Sequence, residues 1–165
     1  MLDLAATPDN RRLELERELP APRELVWKMF SDPYHLAQWW GPKGCTNPIV
    51  ELDFRVGGRW YHVMHCIDGN DYPADSEFVE IRPPEFIAYR NRRIDDPAFG
   101  DNPPPSFYRT ITFTELPGGH TLLRIVAYFD TSEQKDAVIR RGFREGVMES
   151  FDKLAAHLAT LGDTP

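Results

Sequence analysis

The middle of the chain, residues 45–129, consists of short apolar stretches that are separated by glycine, proline and aspartate. Each stretch is long enough for one strand and ends at a turn signal, a pattern that predicts an antiparallel meander. A further strand is predicted upstream, over residues 12–19, because leucines alternate there with glutamates. The remaining predicted strands span residues 49–54, 59–66, 77–81, 86–92, 107–116 and 121–129. The sequence therefore predicts seven antiparallel strands.

Two short helices are predicted between the first strand and the meander. Pro22 can occupy a helix start, and apolar residues then recur on one side of the segment up to Ser31. Asp32 is a helix-capping residue type and is followed by proline, so a second helix is expected to begin there and to end at Gly41.

One long helix is predicted at the C-terminal end. Thr131 and Gln134 have the spacing of a capping box, and an apolar stripe with helical periodicity follows. Gly142 and Gly146 lie one turn apart in this predicted helix, where they remove bulk from one face. The two glycines are therefore expected to leave room beneath the helix.

Composition limits the classes of function. The chain has 165 residues, a formal net charge of −7 and 12% aromatic residues, which suits a single globular domain. We expect this domain to span residues 12–162, with flexible termini at 1–11 and 163–165. The negative charge argues against a nucleic acid as partner, because phosphate binding needs concentrated Lys and Arg.

The compartment is predicted from the same composition. No apolar run is long enough to span a bilayer, so no membrane insertion is expected. The first residues lack a secretory signal, and only Cys45 and Cys66 are present. These features predict a cytoplasmic protein with reduced thiols.

Metal binding and covalent catalysis are poorly supported. Positions three apart in a strand face opposite sides, so His62 and His65 cannot share an ion without a bulge, although His62 and Cys66 could. Cys45 and Ser106 lie in no recognisable nucleophile motif. We predict no metal site, no cofactor and no catalytic residue of this kind.

A cavity with a few polar residues is the stronger expectation. Tryptophans 39 and 40 are adjacent, and strand alternation places polar side chains among apolar ones on the same faces. A register slip of one residue would reverse every direction, which leaves a purely structural role as the alternative. The candidate cavity residues are Trp39, Trp40, Trp60, His62, Met64, Tyr89, Arg109, Ile111, Phe113, Gly142 and Gly146.

Four segments resemble one known family. They are APRELVWKMFSDPYHLAQWWGPKG, VELDFRVGGRWYHVM, DGNDYPADSEFVEIRPPEFI and REGVMESFDKLAAHL. They resemble bacterial members of the family named after the activator of heat-shock-protein-90 ATPase, within the START-like (SRPBCC), birch-pollen-allergen-like superfamily. The resemblance covers about residues 13–161. It implies an α+β helix-grip fold, in which a curved seven-strand antiparallel sheet surrounds the long C-terminal helix and leaves a cavity for an apolar molecule.

Three functions remain open from this resemblance. The first is binding of a small hydrophobic or aromatic molecule, including a lipid, in the internal cavity. The second is a cyclase-like or aromatase-like enzyme in which His62, Tyr89 or Arg109 assists proton transfer. The third is a co-chaperone that stimulates a chaperone ATPase through its surface. Binding without catalysis is the leading hypothesis, and a homodimer is a further expectation.

Overall fold

The computed structural model describes residues 4–94, 96–100 and 104–161. Its sheet is antiparallel and curled into a half-barrel. The strands are β1 (Arg12–Leu19), β2 (Cys45–Leu52), β3 (Arg59–Cys66), β4 (Asp71–Arg82), β5 (Phe86–Asn91), β6 (Tyr108–Leu116) and β7 (His120–Tyr128). Their order across the sheet is β1-β7-β6-β5-β4-β3-β2. The predicted seven-strand α+β fold is therefore confirmed.

The two short helices after β1 are also confirmed. They are α1 (Arg23–Ser31) and α2 (Pro33–Trp39). The carboxylate of Asp32 accepts a hydrogen bond from the backbone N–H of Tyr34 at 2.9 Å, as expected of an N-cap. None of the described helices is long and apolar enough to cross a membrane.

The C-terminal segment forms two helices, α3 (Ser132–Arg140) and α4 (Phe143–Leu161), which corrects the prediction of one continuous helix from Thr131. Thr131 caps α3, since its hydroxyl oxygen accepts from the backbone N–H of Gln134 at 3.1 Å. Gly142 has a φ of +89°, a conformation that ends a helix and favours glycine. Gly142 is therefore the break between α3 and α4 and not a small residue within one helix.

The main core lies between the inner face of the sheet and α4, with α1 and α2 covering one end. Phe151, Leu154 and Leu158 form the fully buried stripe of α4. Because these residues recur at helical spacing, one face of α4 is held against the sheet along several turns. The position of α4 therefore determines how much space is left between the sheet and the break at Gly142.

A bend leads into β3. An ideal Cβ built on Gly58 would lie 2.0 Å from the carbonyl oxygen of Asp53, so the backbone approach excludes any side chain there. The backbone of Phe78 donates to the carbonyl of Gly58 at 3.1 Å and accepts from the N–H of Gly57 at 2.8 Å. The bend is thereby fixed to β4, and it aims the first residues of β3.

Cys45 and Cys66 form a disulfide, which corrects the expectation of reduced thiols. The two residues are directly opposite each other, at the start of β2 and the end of β3. Their Cα atoms are 4.0 Å apart. The disulfide was not predicted from the sequence, because it depends on the register between β2 and β3. The expected cytoplasmic location loses the support that it drew from free thiols.

The expected flexible termini stay a prediction. Residues 1–3 and 163–165 lie outside the described residues. Residues 4–11 contain two short 3₁₀ turns, Leu4–Ala6 and Asp9–Arg11.

Candidate functional site

A pocket of about 340 Å³ lies between the inner face of the sheet and the α3–α4 segment. Its walls come from β3, β4, β5 and β6 on one side and from α4 and the residues after α2 on the other. The lining residues are Trp39, Trp40, Gly41, Pro42, Trp60, His62, Met64, Ala74, Ser76, Tyr89, Asn91, Pro104, Phe107, Arg109, Ile125, Val138, Arg141, Gly142, Phe143, Gly146, Val147, Ser150 and Phe151.

Three aromatic rings form one wall. Trp60 packs edge-on against Trp40, with ring centroids 4.6 Å apart, and lies 5.4 Å from the ring of His62. Trp60 and His62 are only 3% and 5% exposed. Strand alternation places both side chains on the inner face of β3, so the bend at Gly58 aims them into the pocket.

Trp39 and Trp40 differ in their surroundings. Trp39 is fully buried, and its indole N–H donates to the backbone carbonyl of Met29 at 3.1 Å. Trp40 is half-buried and packs against Trp39 with ring centroids 5.3 Å apart. Trp39 therefore anchors α2 to α1, while Trp40 continues the aromatic wall.

The polar centre of the pocket is a pair on neighbouring strands. Arg109 on β6 is directly opposite Tyr89 on β5, and its Nη1 donates to the Tyr89 hydroxyl at 3.3 Å. The guanidinium also lies 4.9 Å from the ring centroid of Phe107 and 5.2 Å from that of Phe143. Cation–π contacts with these rings thus replace part of the hydration that the guanidinium loses in the pocket.

Three buried nitrogens in this pocket have no hydrogen-bond partner among the described residues. They are Trp60 Nε1, His62 Nδ1 and Arg109 Nε. Unpaired buried polar atoms cost free energy, and the residues around these three nitrogens enclose them. The pocket lining is therefore mainly apolar and includes three nitrogens without a hydrogen-bond partner in the described residues.

The protonation states follow from burial. Burial, followed by the positive charge of Arg109, lowers the pKa of His62 to about 4. Burial raises the pKa of Tyr89, against the opposing effect of Arg109. At neutral pH the pocket therefore holds a neutral imidazole, a protonated phenol and a charged guanidinium.

The structure brings together all of the sequence-predicted cavity residues except two. Ile111 and Phe113 are each 1% exposed and belong to the core, outside the pocket lining. Phe113 packs edge-on against Trp27 and Phe30 of α1, with ring centroids 5.1 and 5.2 Å apart. Because α1 covers this end of β6, the pocket stops at Arg109.

Sequence reasoning missed other lining residues. Ala74 and Ser76 of β4 lie opposite His62 and Trp60, and they could have been found from the register of the β3–β4 hairpin. Residues on either side of the α3–α4 break had no such signal, because the break was not foreseen. These are Val138, Arg141 and Phe143.

Two residues considered above as metal ligands, Cys66 and His65, have other partners in the structure. Cys66 is bonded to Cys45, and His65 is exposed, with its Nδ1 2.7 Å from a carboxylate oxygen of Asp71. In the described part of the chain, no group of three or more His, Cys, Asp or Glu side chains is placed to hold a metal ion.

Solved structures of similar proteins share this fold. A protein from Nitrosomonas europaea is 25% identical, with a TM-score of 0.82, and the match covers 95% of this chain and 99% of that one. A protein from Mycobacterium smegmatis is 28% identical, with a TM-score of 0.81 and coverage of 93% and 94%. A third, from Silicibacter pomeroyi, is 29% identical, with a TM-score of 0.73 and coverage of 90% and 98%. Among curated proteins, none matches this sequence.

A family model places the sequence among these relatives. The model described as "Activator of Hsp90 ATPase homolog 1-like protein" matches residues 20–159, which includes both short helices, β2 to β7 and nearly all of α4. This match agrees with the fold and with the resemblance of the four sequence segments. The chain therefore belongs to the Activator of Hsp90 ATPase homolog 1-like family.

Proposed function

We propose that this protein binds a small hydrophobic or aromatic molecule in the pocket between the sheet and α4. The observation that carries the proposal is the pocket itself, about 340 Å³ in volume and lined mainly by aromatic and aliphatic side chains. Ligand sites in proteins have volumes of roughly 300 to 1,000 Å³ and combine apolar walls with a few polar groups. The START-like fold commonly binds hydrophobic ligands.

Apolar contact supplies the affinity in this proposal. Trp40, Trp60 and Phe107 offer ring faces or edges to a bound molecule, and each aromatic contact excludes water from apolar surface. The polar pair of Tyr89 and Arg109 orients a ligand that carries a hydrogen-bonding group.

A titration with N-phenyl-1-naphthylamine, a neutral apolar fluorophore, tests the proposal. We expect one probe per chain, an increase in probe emission, and energy transfer from the neighbouring tryptophans. Saturable binding to the folded protein is required, and binding that appears only when the protein is partly unfolded would contradict the proposal.

Two leucine variants locate the binding site. Gly146 lies in α4 and lines the pocket, and among the described residues a Cβ there meets only Pro42 Cβ at 3.9 Å, so Gly146→Leu fills pocket volume without a backbone clash. Ala156→Leu places the same side chain at an exposed position of the same helix. We expect Gly146→Leu to weaken probe binding at least about tenfold and Ala156→Leu to leave it unchanged. Equal affinities in two folded variants would place the probe elsewhere.

Proton transfer on a captured molecule is the second candidate function. The observation in its favour is the neutral imidazole of His62, which is buried beside the pocket and near the charge of Arg109. A ligand extracted from protein purified without stripping, and identified by mass spectrometry, separates the two functions. Recovery of the same molecule after prolonged incubation supports binding alone, whereas a product that His62→Phe no longer forms supports an enzyme.

A further inference from the structure

We propose that the ligand of this pocket carries a carboxylate that pairs with Arg109, so that the protein binds amphipathic monoanions with an apolar or aromatic body. This inference rests on the proposed function and specifies the chemical class of the ligand. It follows from the state of the guanidinium, from the charges around the pocket and from the shape of the lining.

The charge of Arg109 is incompletely compensated. Its interactions in the described residues are one hydrogen bond to the Tyr89 hydroxyl and contacts with the rings of Tyr89, Phe107 and Phe143. Its Nε is buried and has no hydrogen-bond partner there. Removing a cation from water is costly unless an anion or several acceptors replace the hydration. An anionic ligand group beside the guanidinium would supply the opposite charge that the described residues do not provide.

The pocket lining carries the positive charge of Arg109. Within the described ranges no aspartate or glutamate lines the pocket. The chain as a whole carries a formal net charge of −7, so a lining free of carboxylates does not follow from composition. A pocket with positive charge in an acidic protein selects an anion over a cation.

The geometry favours a carboxylate over a more highly charged group. One half-buried guanidinium, held between aromatic rings, can offset about one negative charge, and its planar donors match a planar carboxylate. His62 lines the pocket as a neutral ring, so it adds no second positive charge. The walls around Trp60 and Phe107 then receive the apolar part of the molecule.

Two ligands that differ in charge alone test the inference. 2-Naphthoate and 2-naphthamide share the ring system and a planar polar group, but the amide is neutral. By calorimetry at neutral pH, we expect 2-naphthoate to bind at least about tenfold more tightly, as is typical when a hydrogen bond to a charged group replaces a neutral one. This comparison uses the unmodified protein, so it does not depend on the stability of any variant.

Two arginine variants assign the preference to one residue. Arg109→Gln should abolish it by lowering the affinity for 2-naphthoate about tenfold while the affinity for 2-naphthamide changes little. Arg90→Gln is the matched control. Arg90 also lies over a tyrosine ring, that of Tyr108, and donates to Ser106 Oγ at 2.8 Å, but it is outside the pocket lining. The control should retain the full preference for the anion.

The outcomes separate the two proposals. Equal binding of 2-naphthoate and 2-naphthamide would overturn the carboxylate inference and leave apolar binding intact. A preference that persists in Arg109→Gln would also overturn it, as would tighter binding of 2-naphthyl phosphate than of 2-naphthoate. If 2-naphthoate, 2-naphthamide and N-phenyl-1-naphthylamine all failed to bind the folded protein, the proposed function itself would be contradicted.

Discussion

The ammonium nitrogen of Lys153, on α4, lies 3.1 Å from the backbone carbonyl oxygen of Cys45 at the start of β2. Three further carbonyl oxygens surround the same nitrogen, those of Trp40 at 3.3 Å, Gly41 at 3.2 Å and Pro42 at 3.4 Å. Three of the four acceptors belong to the segment that joins α2 to β2, the fourth is the first residue of β2, and part of that segment lines the pocket. A single cation on α4 therefore holds one wall of the pocket in place.

Replacing this cation should loosen that wall. We expect Lys153→Met to lower the free energy of unfolding by about 1 to 2 kcal/mol, because carbonyl groups lose a charged donor while water partly replaces it. Amide hydrogen exchange should accelerate in residues 40–46. Lys28→Met, at an exposed position of α1, is the control. Equal stability and exchange in the two variants would show that Lys153 does not hold this segment.

The disulfide between Cys45 and Cys66 should contribute measurably to stability. The two cysteines are 21 residues apart, and closing a loop of this size in the unfolded chain corresponds to about 3 kcal/mol. Urea denaturation with and without a phosphine reductant measures the difference. The denatured protein should also show no free thiol before reduction, and two titratable thiols per chain would contradict the disulfide.

Two glycines one turn apart should respond to alanine with opposite signs. Gly142→Ala forces a side chain into a backbone with a φ of +89° and should destabilise the protein by about 1 to 2 kcal/mol. Gly146 lies within α4, and its added Cβ would make an ordinary contact with Pro42 Cβ at 3.9 Å. Gly146→Ala should therefore stabilise the helix by up to about 1 kcal/mol. Denaturation curves for the two variants provide the measurement, and shifts of the same sign would contradict the helix break.

His62 should make the protein less stable in mild acid. Its pKa is lowered to about 4 in the folded protein, from about 6.5 in an unfolded chain. Between these values the unfolded chain binds the proton first, so the free energy of unfolding falls as the pH falls from 6.5 to 4. A difference of this size corresponds to a loss on the order of 3 kcal/mol, since each unit is worth about 1.4 kcal/mol.

The variant His62→Phe isolates that contribution. Burial, followed by the charge of His35, also lowers the pKa of His157, which titrates in the same direction. The wild-type profile must therefore be compared with that of His62→Phe, which lacks one titrating group and keeps the other. We expect a flatter profile for the variant between pH 6.5 and 4, and parallel profiles would show that His62 is not buried in its neutral form.

Local sequence patterns were sufficient for most of the elements. Residues 12–19 alternate between apolar and charged side chains, and residues 59–66 lie between two turn signals, so both strands could be bounded correctly. Asp32 followed by proline marked the start of α2, because helix capping depends on residues that are neighbours in the chain. In contrast, β4 is longer than the predicted strand. Its first half was missed because that half is polar and includes Pro73, and proline is uncommon within a strand.

The sequence by itself determined the order of the strands and the placement of Trp60 and His62 on one face of β3, because dihedral preferences and side-chain alternation act over a few adjacent residues. Which face of β3 is buried was decided by the tertiary structure. Only the tertiary structure decided where the pocket ends. Phe113 points to the same side of β6 as Arg109, yet α1 covers it and leaves Arg109 beside open volume. The disulfide was likewise decided by strand register, since Cys45 and Cys66 are distant in the chain and meet only after β2 and β3 pair.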